Sequence, residues 1–149
     1  MFNLQTRAHI ATIPIEGENP RAMVLSSDKK QLYVALALSG NRTTALNFDD
    51  APPQPDPTNP DLPPPPHTTL IVHAETDEHP VNFIVLDHDI AVINTETLTV
   101  NNYVSDIGTM NLAMAINPKT DDLLVSNIDS RNLVRFEPNL RGHFVDHRL

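Results

Sequence analysis

Seven histidines and nineteen acidic side chains are the groups in this 149-residue chain equipped for chemistry. His67, His73 and His79 recur at six-residue intervals around Glu75, Asp77 and Glu78, and Asp87-His88-Asp89 precedes an apolar run. Imidazole nitrogens with carboxylates suit zinc, and clustered carboxylates suit calcium. His73, His79, Asp87, His88 and Asp89 are therefore the candidate metal ligands. His143 and His147, four apart, would share one face of a strand. None of these spacings matches a defined metal motif, and no Asp-x-Asp-x-Asp-Gly loop exists to wrap an ion. They read as exposed polar residues on loops and outer strands. We expect no metal and no cofactor.

Covalent catalysis fares no better. The chain has no cysteine, no Gly-x-Ser-x-Gly elbow and no glycine-rich phosphate loop. Ser105 and Ser130 read as turn residues. Ten basic residues against nineteen acidic ones leave a formal charge of −9, whose field repels phosphate and disfavours nucleic acid and anionic lipid. The longest apolar run, Tyr33 to Leu38, is far too short to span a bilayer. Met1-Phe2-Asn3-Leu4-Gln5-Thr6-Arg7 lacks the basic leader and apolar stretch of a signal peptide.

The elements that must position these groups are strands. No window carries apolar residues at the three-and-four spacing of a helix, whereas short β-branched runs alternate with Asn, Asp, Ser, Gly and Pro. Expected strands are 9–14, 22–25, 31–38, 42–48, 69–73, 81–86, 89–94, 100–104, 112–116, 122–126, 133–136 and 143–147. Ser26-Ser27-Asp28-Lys29-Lys30 and Asn117-Pro118-Lys119-Thr120-Asp121 have the chemistry of hairpin loops. The expected class is all-β and antiparallel.

Sliding the chain by 91 residues lays 1–41 on 92–132 without gaps. Asn3, Thr6, Gly17, Ala22, Met23, Leu32, Val34, Ser39 and Asn41 recur as Asn94, Thr97, Gly108, Ala113, Met114, Leu123, Val125, Ser130 and Asn132. One supersecondary unit is present twice, and we assign repeat units to 1–48 and 89–149 within one domain spanning 1–149. Between them, 49–66 holds nine prolines in eighteen positions, which cannot join a ladder. We assign 49–80 as an insertion that lengthens outer strands; the rival reading makes 68–107 a separate degenerate unit. Pro63, Pro64, Pro65 and Pro66 form a preformed polyproline helix that an aromatic groove could take up, although a stiff surface spacer is the commoner use.

Asn19-Pro20-Arg21-Ala22-Met23-Val24-Leu25-Ser26-Ser27-Asp28-Lys29-Lys30-Gln31-Leu32-Tyr33-Val34-Ala35 resembles the YVTN-type β-propeller repeat. Ser27 and Lys29 replace that repeat's usual proline and glycine. The second copy, Asn117 to Asn127, keeps the proline and the closing asparagine, and Asp89 to Leu98 looks like the repeat's third strand and turn. The resemblance implies an incomplete ring of two to three blades, with strands 22–25 and 112–116 lining a channel. It also implies a bacterial, periplasmic or extracellular setting.

Propellers host lactonases and quinoproteins as well as pure binding platforms, so the fold alone settles no activity. The inner strands Ala22-Met23-Val24-Leu25 and Leu112-Ala113-Met114-Ala115-Ile116 offer only small and apolar groups, with Arg21 the one charge beside them. The expected function is a non-enzymatic interaction and structural module, partnered by neighbouring blades or identical copies. A lactonase-like or quinoprotein-like enzyme is the alternative. A chain beginning partway through a unit is expected to be a piece of a larger propeller or a homo-oligomer.

Overall fold

The computed structural model describes residues 1–50, 59–61, 70–74, 81, 84–131 and 144–149. Nine strands follow in order: β1 (Glu18–Leu25), β2 (Gln31–Leu38), β3 (Thr43–Leu46), β4 (Leu70–His73), β5 (Ile90–Asn94), β6 (Thr99–Val104), β7 (Met110–Ile116), β8 (Leu123–Ser130) and β9 (Val145–Arg148). One 3-10 turn, Phe48–Asp50, completes the described elements. Every strand pairing is antiparallel, so the chain is all-β.

Two compact units divide the chain. The first holds Met1–Asn41, Leu86–Ser130 and Val145–Leu149; the second holds Arg42–Val85 and Arg131–Phe144. Within the first, four strands form one sheet in the order β1-β2-β5-β6 and three form another in the order β7-β8-β9. β2 is apolar almost throughout because it is the interior strand: Val34, Ala35, Leu36 and Ala37 are all buried. A strand covered on both faces needs apolar groups on both, which is why its sequence does not alternate. On one face Val34, Ala91 and Ile93 make the core, closed over by Ile13 and Ile15. β7 packs against β1 and β2.

The repeat is visible in backbone detail. Arg21 is the extra residue of a bulge between Pro20 and Ala22; Leu112, 91 residues on, is the extra residue of the same bulge between Asn111 and Ala113. Asn3 Oδ1 accepts the N–H groups of Gln5 and Thr6, and Asn94 Oδ1 accepts those of Glu96 and Thr97. Arg7 and Leu98 close these two turns with left-handed φ angles of 59° and 57°. A Cβ on Gly17 would collide with Leu36, and one on Gly108 would lie 2.5 Å from Asn127 Oδ1. Leu36 and Asn127 are again 91 apart. Glycine stands at both places because the Leu36 and Asn127 side chains occupy the space that a Cβ would need.

Some expected elements differ. Residues 9–14 form no ladder strand, their one pairing being the isolated Phe2–His9 bridge. Pro14 has no N–H to donate, and Ile13 and Ile15 are used to cover the core instead. Residues 42–48 and 69–73 shorten to β3 and β4. They make their own two-stranded sheet rather than extending outer strands of the larger one. β5 pairs with β2 rather than with β4, so 68–107 is not one sheet unit. The described residues of 81–86 carry no strand. The strand expected at 133–136, most of the tract 49–66, Pro63 to Pro66, His67, His79 and His143 lie outside the described residues.

Candidate functional site: a buried polar hub and its pocket

Where β2 ends and β5 begins, the sheet brings together polar groups that no local pattern would collect. Asp89 and Asn111 are both 0% exposed, and Ser39 is buried beside them. Ser39 Oγ lies 2.6 Å from Asp89 Oδ1 and 2.7 Å from the Gly108 carbonyl oxygen. Asn111 Nδ2 donates to Asp89 Oδ1 at 2.7 Å and to the Leu36 carbonyl at 3.2 Å. The Ile107 N–H donates to Asp89 Oδ2 at 2.9 Å. A buried carboxylate is tolerated when several donors converge on it, and here a hydroxyl, a carboxamide and a backbone amide do so. The hub joins the end of β2, the approach to β5, the turn after β6 and the start of β7.

Next to it, the His88 ring stacks on Tyr103 with centroids 3.9 Å apart and planes 5° from parallel. His88 Nδ1 donates to the Glu16 carbonyl at 2.8 Å, and the Glu16 N–H donates to Tyr103 Oη at 2.7 Å. A carbonyl only accepts, so Nδ1 carries the proton and Nε2 the lone pair when the ring is neutral. The stacked pair grips both polar groups of one residue and holds Ile13 and Ile15 down on the core. A cavity of ≈ 250 Å³ opens alongside, lined by Gly17, Glu18, Leu38, Ser39, Leu86 and His88.

This arrangement is not a nucleophile triad, although Ser39, His88 and Asp89 are close in the fold. Ser39 contacts Asp89 directly instead of through an imidazole, and His88 turns Nδ1 to a backbone carbonyl. The serine–imidazole–carboxylate relay of a triad is therefore not formed. The hub's chemistry is that of a joint.

Of the candidate ligands, His79 lies outside the described residues, and Asp87, His88 and Asp89 each have other partners. Asp87 accepts the Asp106 N–H at 3.3 Å and the Ser105 hydroxyl at its carbonyl, Asp89 serves the hub, and His88 stacks on Tyr103. His73 stands on β4 in the second unit. Among the described residues no three His, Cys, Asp or Glu side chains gather as a metal would require. Ser39, Asn111 and Tyr103 carry the site without having been singled out for it. The one available signal was Ser39, an identity at the 91-residue offset. Arg21 is exposed at the β1 bulge, away from the hub's hydrogen bonds.

Among the described residues no helix is long and apolar enough to cross a membrane. Comparison of the chain with protein-family models, curated proteins and solved structures finds no match.

Proposed function

We propose that the chain is a β-propeller segment acting as a non-enzymatic interaction and structural module. The observation that carries this reading is the packing of β7 on β1 and β2, one repeat laid on the face of the one before. The meander β1-β2-β5-β6 has the strand order of one blade, and β7-β8-β9 that of the next begun. On this reading β1 and β7 are inner strands, and their Ala, Met, Val, Leu and Ile side chains equip a channel for packing, not chemistry. Ser39, Asp89 and the Asn111 amide are engaged with one another in the hub. Partners are then further blades or identical copies, in the extracytoplasmic setting that the resemblance implies, with Pro63 to Pro66 serving as a spacer.

The rival enzyme reading, a lactonase-like or quinoprotein-like site at the channel mouth, rests on Arg21 and the pocket beside His88. Incubation with a panel of lactones, with and without calcium, tests it. The module reading expects no turnover. Turnover abolished by Arg21→Ala would replace it with the enzyme.

A further inference from the structure

The faces of the repeated sheets are unequally covered. Met23 and Leu25 pair with Val34 and Leu32, and so share the core face closed by Ile13 and Ile15. Yet Met23 is 71% and Leu25 47% exposed. Their counterparts Met114 and Ile116 are half-buried. The difference is a neighbour. Met114 pairs with Val125 on the face that also holds Asn127 and Asn111, and from it Asn111 reaches the Leu36 carbonyl of the first sheet.

The surface receiving that packing is the first sheet's other face, which includes Ala22, Val24 and Tyr33 on β1 and β2. Its counterparts on the second sheet are Ala113, Ala115 and Leu124. These three are exposed, Leu124 at 41%. The first unit therefore contains one complete face-to-face contact, plus an uncovered knob face and an uncovered receiving face of the same kind. The exposed side chains Met23 and Leu25 on one and Ala113, Ala115 and Leu124 on the other are apolar and uncharged, so they suit each other better than water.

We propose that a second copy of this chain covers them: the Met23–Leu25 face of one copy seats on the Ala113–Ala115–Leu124 face of the next. This rests on the propeller reading and names its partner, because the contact repeats between chains the packing of β7 on β1 and β2. Two different patches meet, so the association is head-to-tail and propagates until it closes or is capped. The flexible Met23 side chain suits a shallow surface of alanines. Copies at a formal charge of −9 repel, so salt strengthens the association.

Light scattering on the full chain tests this with wild type, Met23→Asp, Leu124→Asp and an equal mixture of the two variants. Both positions are exposed, and circular dichroism confirms that each variant folds; Leu25→Glu and Ala115→Glu replace any that does not. Wild type is expected to rise above 16.5 kDa with concentration and with salt. Each variant alone stays at that mass, while the mixture forms pairs of twice the mass, joined through the one intact face of each partner. Wild type fixed at 16.5 kDa at every concentration overturns the second copy as occupant. That result leaves the propeller reading standing, since it answers separately to the strand register. Variants that associate as wild type does, or a mixture that fails to pair, also overturn the proposal.

Discussion

The Asn111 carboxamide donates to the Asp89 carboxylate at 2.7 Å, both side chains fully buried, and this contact ties the start of β7 to the approach to β5. The second sheet is thereby pinned to the first by a directional bond as well as by packing. Removing one side of such a buried pair leaves the other without its partner, which is costly.

Asp89→Ala should therefore destabilise the chain severely. It leaves the Ile107 N–H without its acceptor and takes the stronger of two acceptors from the Ser39 hydroxyl and the Asn111 amide, a loss of about 3 kcal/mol against a total of about 5–15 kcal/mol. Ser39→Ala removes the hydroxyl between Asp89 and the Gly108 carbonyl but leaves the Asn111 and Ile107 donors on the carboxylate, and should cost about 1–2 kcal/mol. Urea denaturation of the two variants gives the ranking, and equal midpoints would show that the hub does not bind the sheets together.

Gly17→Ala and Gly108→Ala should both destabilise, by about 1–3 kcal/mol each, because the new methyl meets Leu36 or Asn127. Leu36 is 0% exposed and has nowhere to retreat. Thermal unfolding checks this; an unchanged midpoint in both variants would mean that the Leu36 and Asn127 side chains do not press on the glycines.

Val34 and Val125 occupy equivalent places in the two hairpins and are 2% and 8% exposed, whereas Leu32 and Leu123 are only half-buried. Val34→Asp and Val125→Asp should unfold the chain, since an unpaired buried charge has no compensation. Leu32→Ser and Leu123→Ser should leave it folded but weakened. Circular dichroism separates the two outcomes, and a folded Val34→Asp would contradict the register.

Asp28 supplies the pH dependence. The Ser26 hydroxyl donates to its carboxylate at 2.7 Å and the Lys30 N–H at 3.0 Å, holding the carboxyl below its ordinary 3.8. A lowered folded value stabilises fully above the unfolded value and is lost as pH falls through the folded one. The Asp28 midpoint followed by NMR should thus lie below 3.8 and rise towards it in Ser26→Ala. The stability gap between wild type and that variant should shrink over the same acid range. A gap that widens on acidification would reverse the sign.

How far the molecule can be read in advance depends on distance along the chain. Gln31–Leu38 is legible to its ends, because its continuous apolar run and flanking turn residues are local signals. The matched bulges at Arg21 and Leu112 follow from the repeat, which self-comparison reveals. The pairing of β2 with β5 does not, since it spans all of residues 39–89 and no local pattern encodes which strand fills that side. The hub inherits that difficulty: Ser39, Asp89 and Asn111 meet only once the sheet has formed. Residues 9–14 mislead for a related reason. Ile13 and Ile15 alternate as a strand would, but their periodicity records the core they cover rather than a ladder.

Strands from either side of residues 39–89 form one sheet, with the next repeat packed against it. Interstrand NMR contacts test it most directly. The expected result is a continuous ladder through Tyr33–Val92 and Val34–Ala91, together with contacts from Asn111 to Leu36 and from β7 to β1. A ladder pairing β2 with residues 43–46 instead, or β7 without contact to β1 and β2, would contradict it.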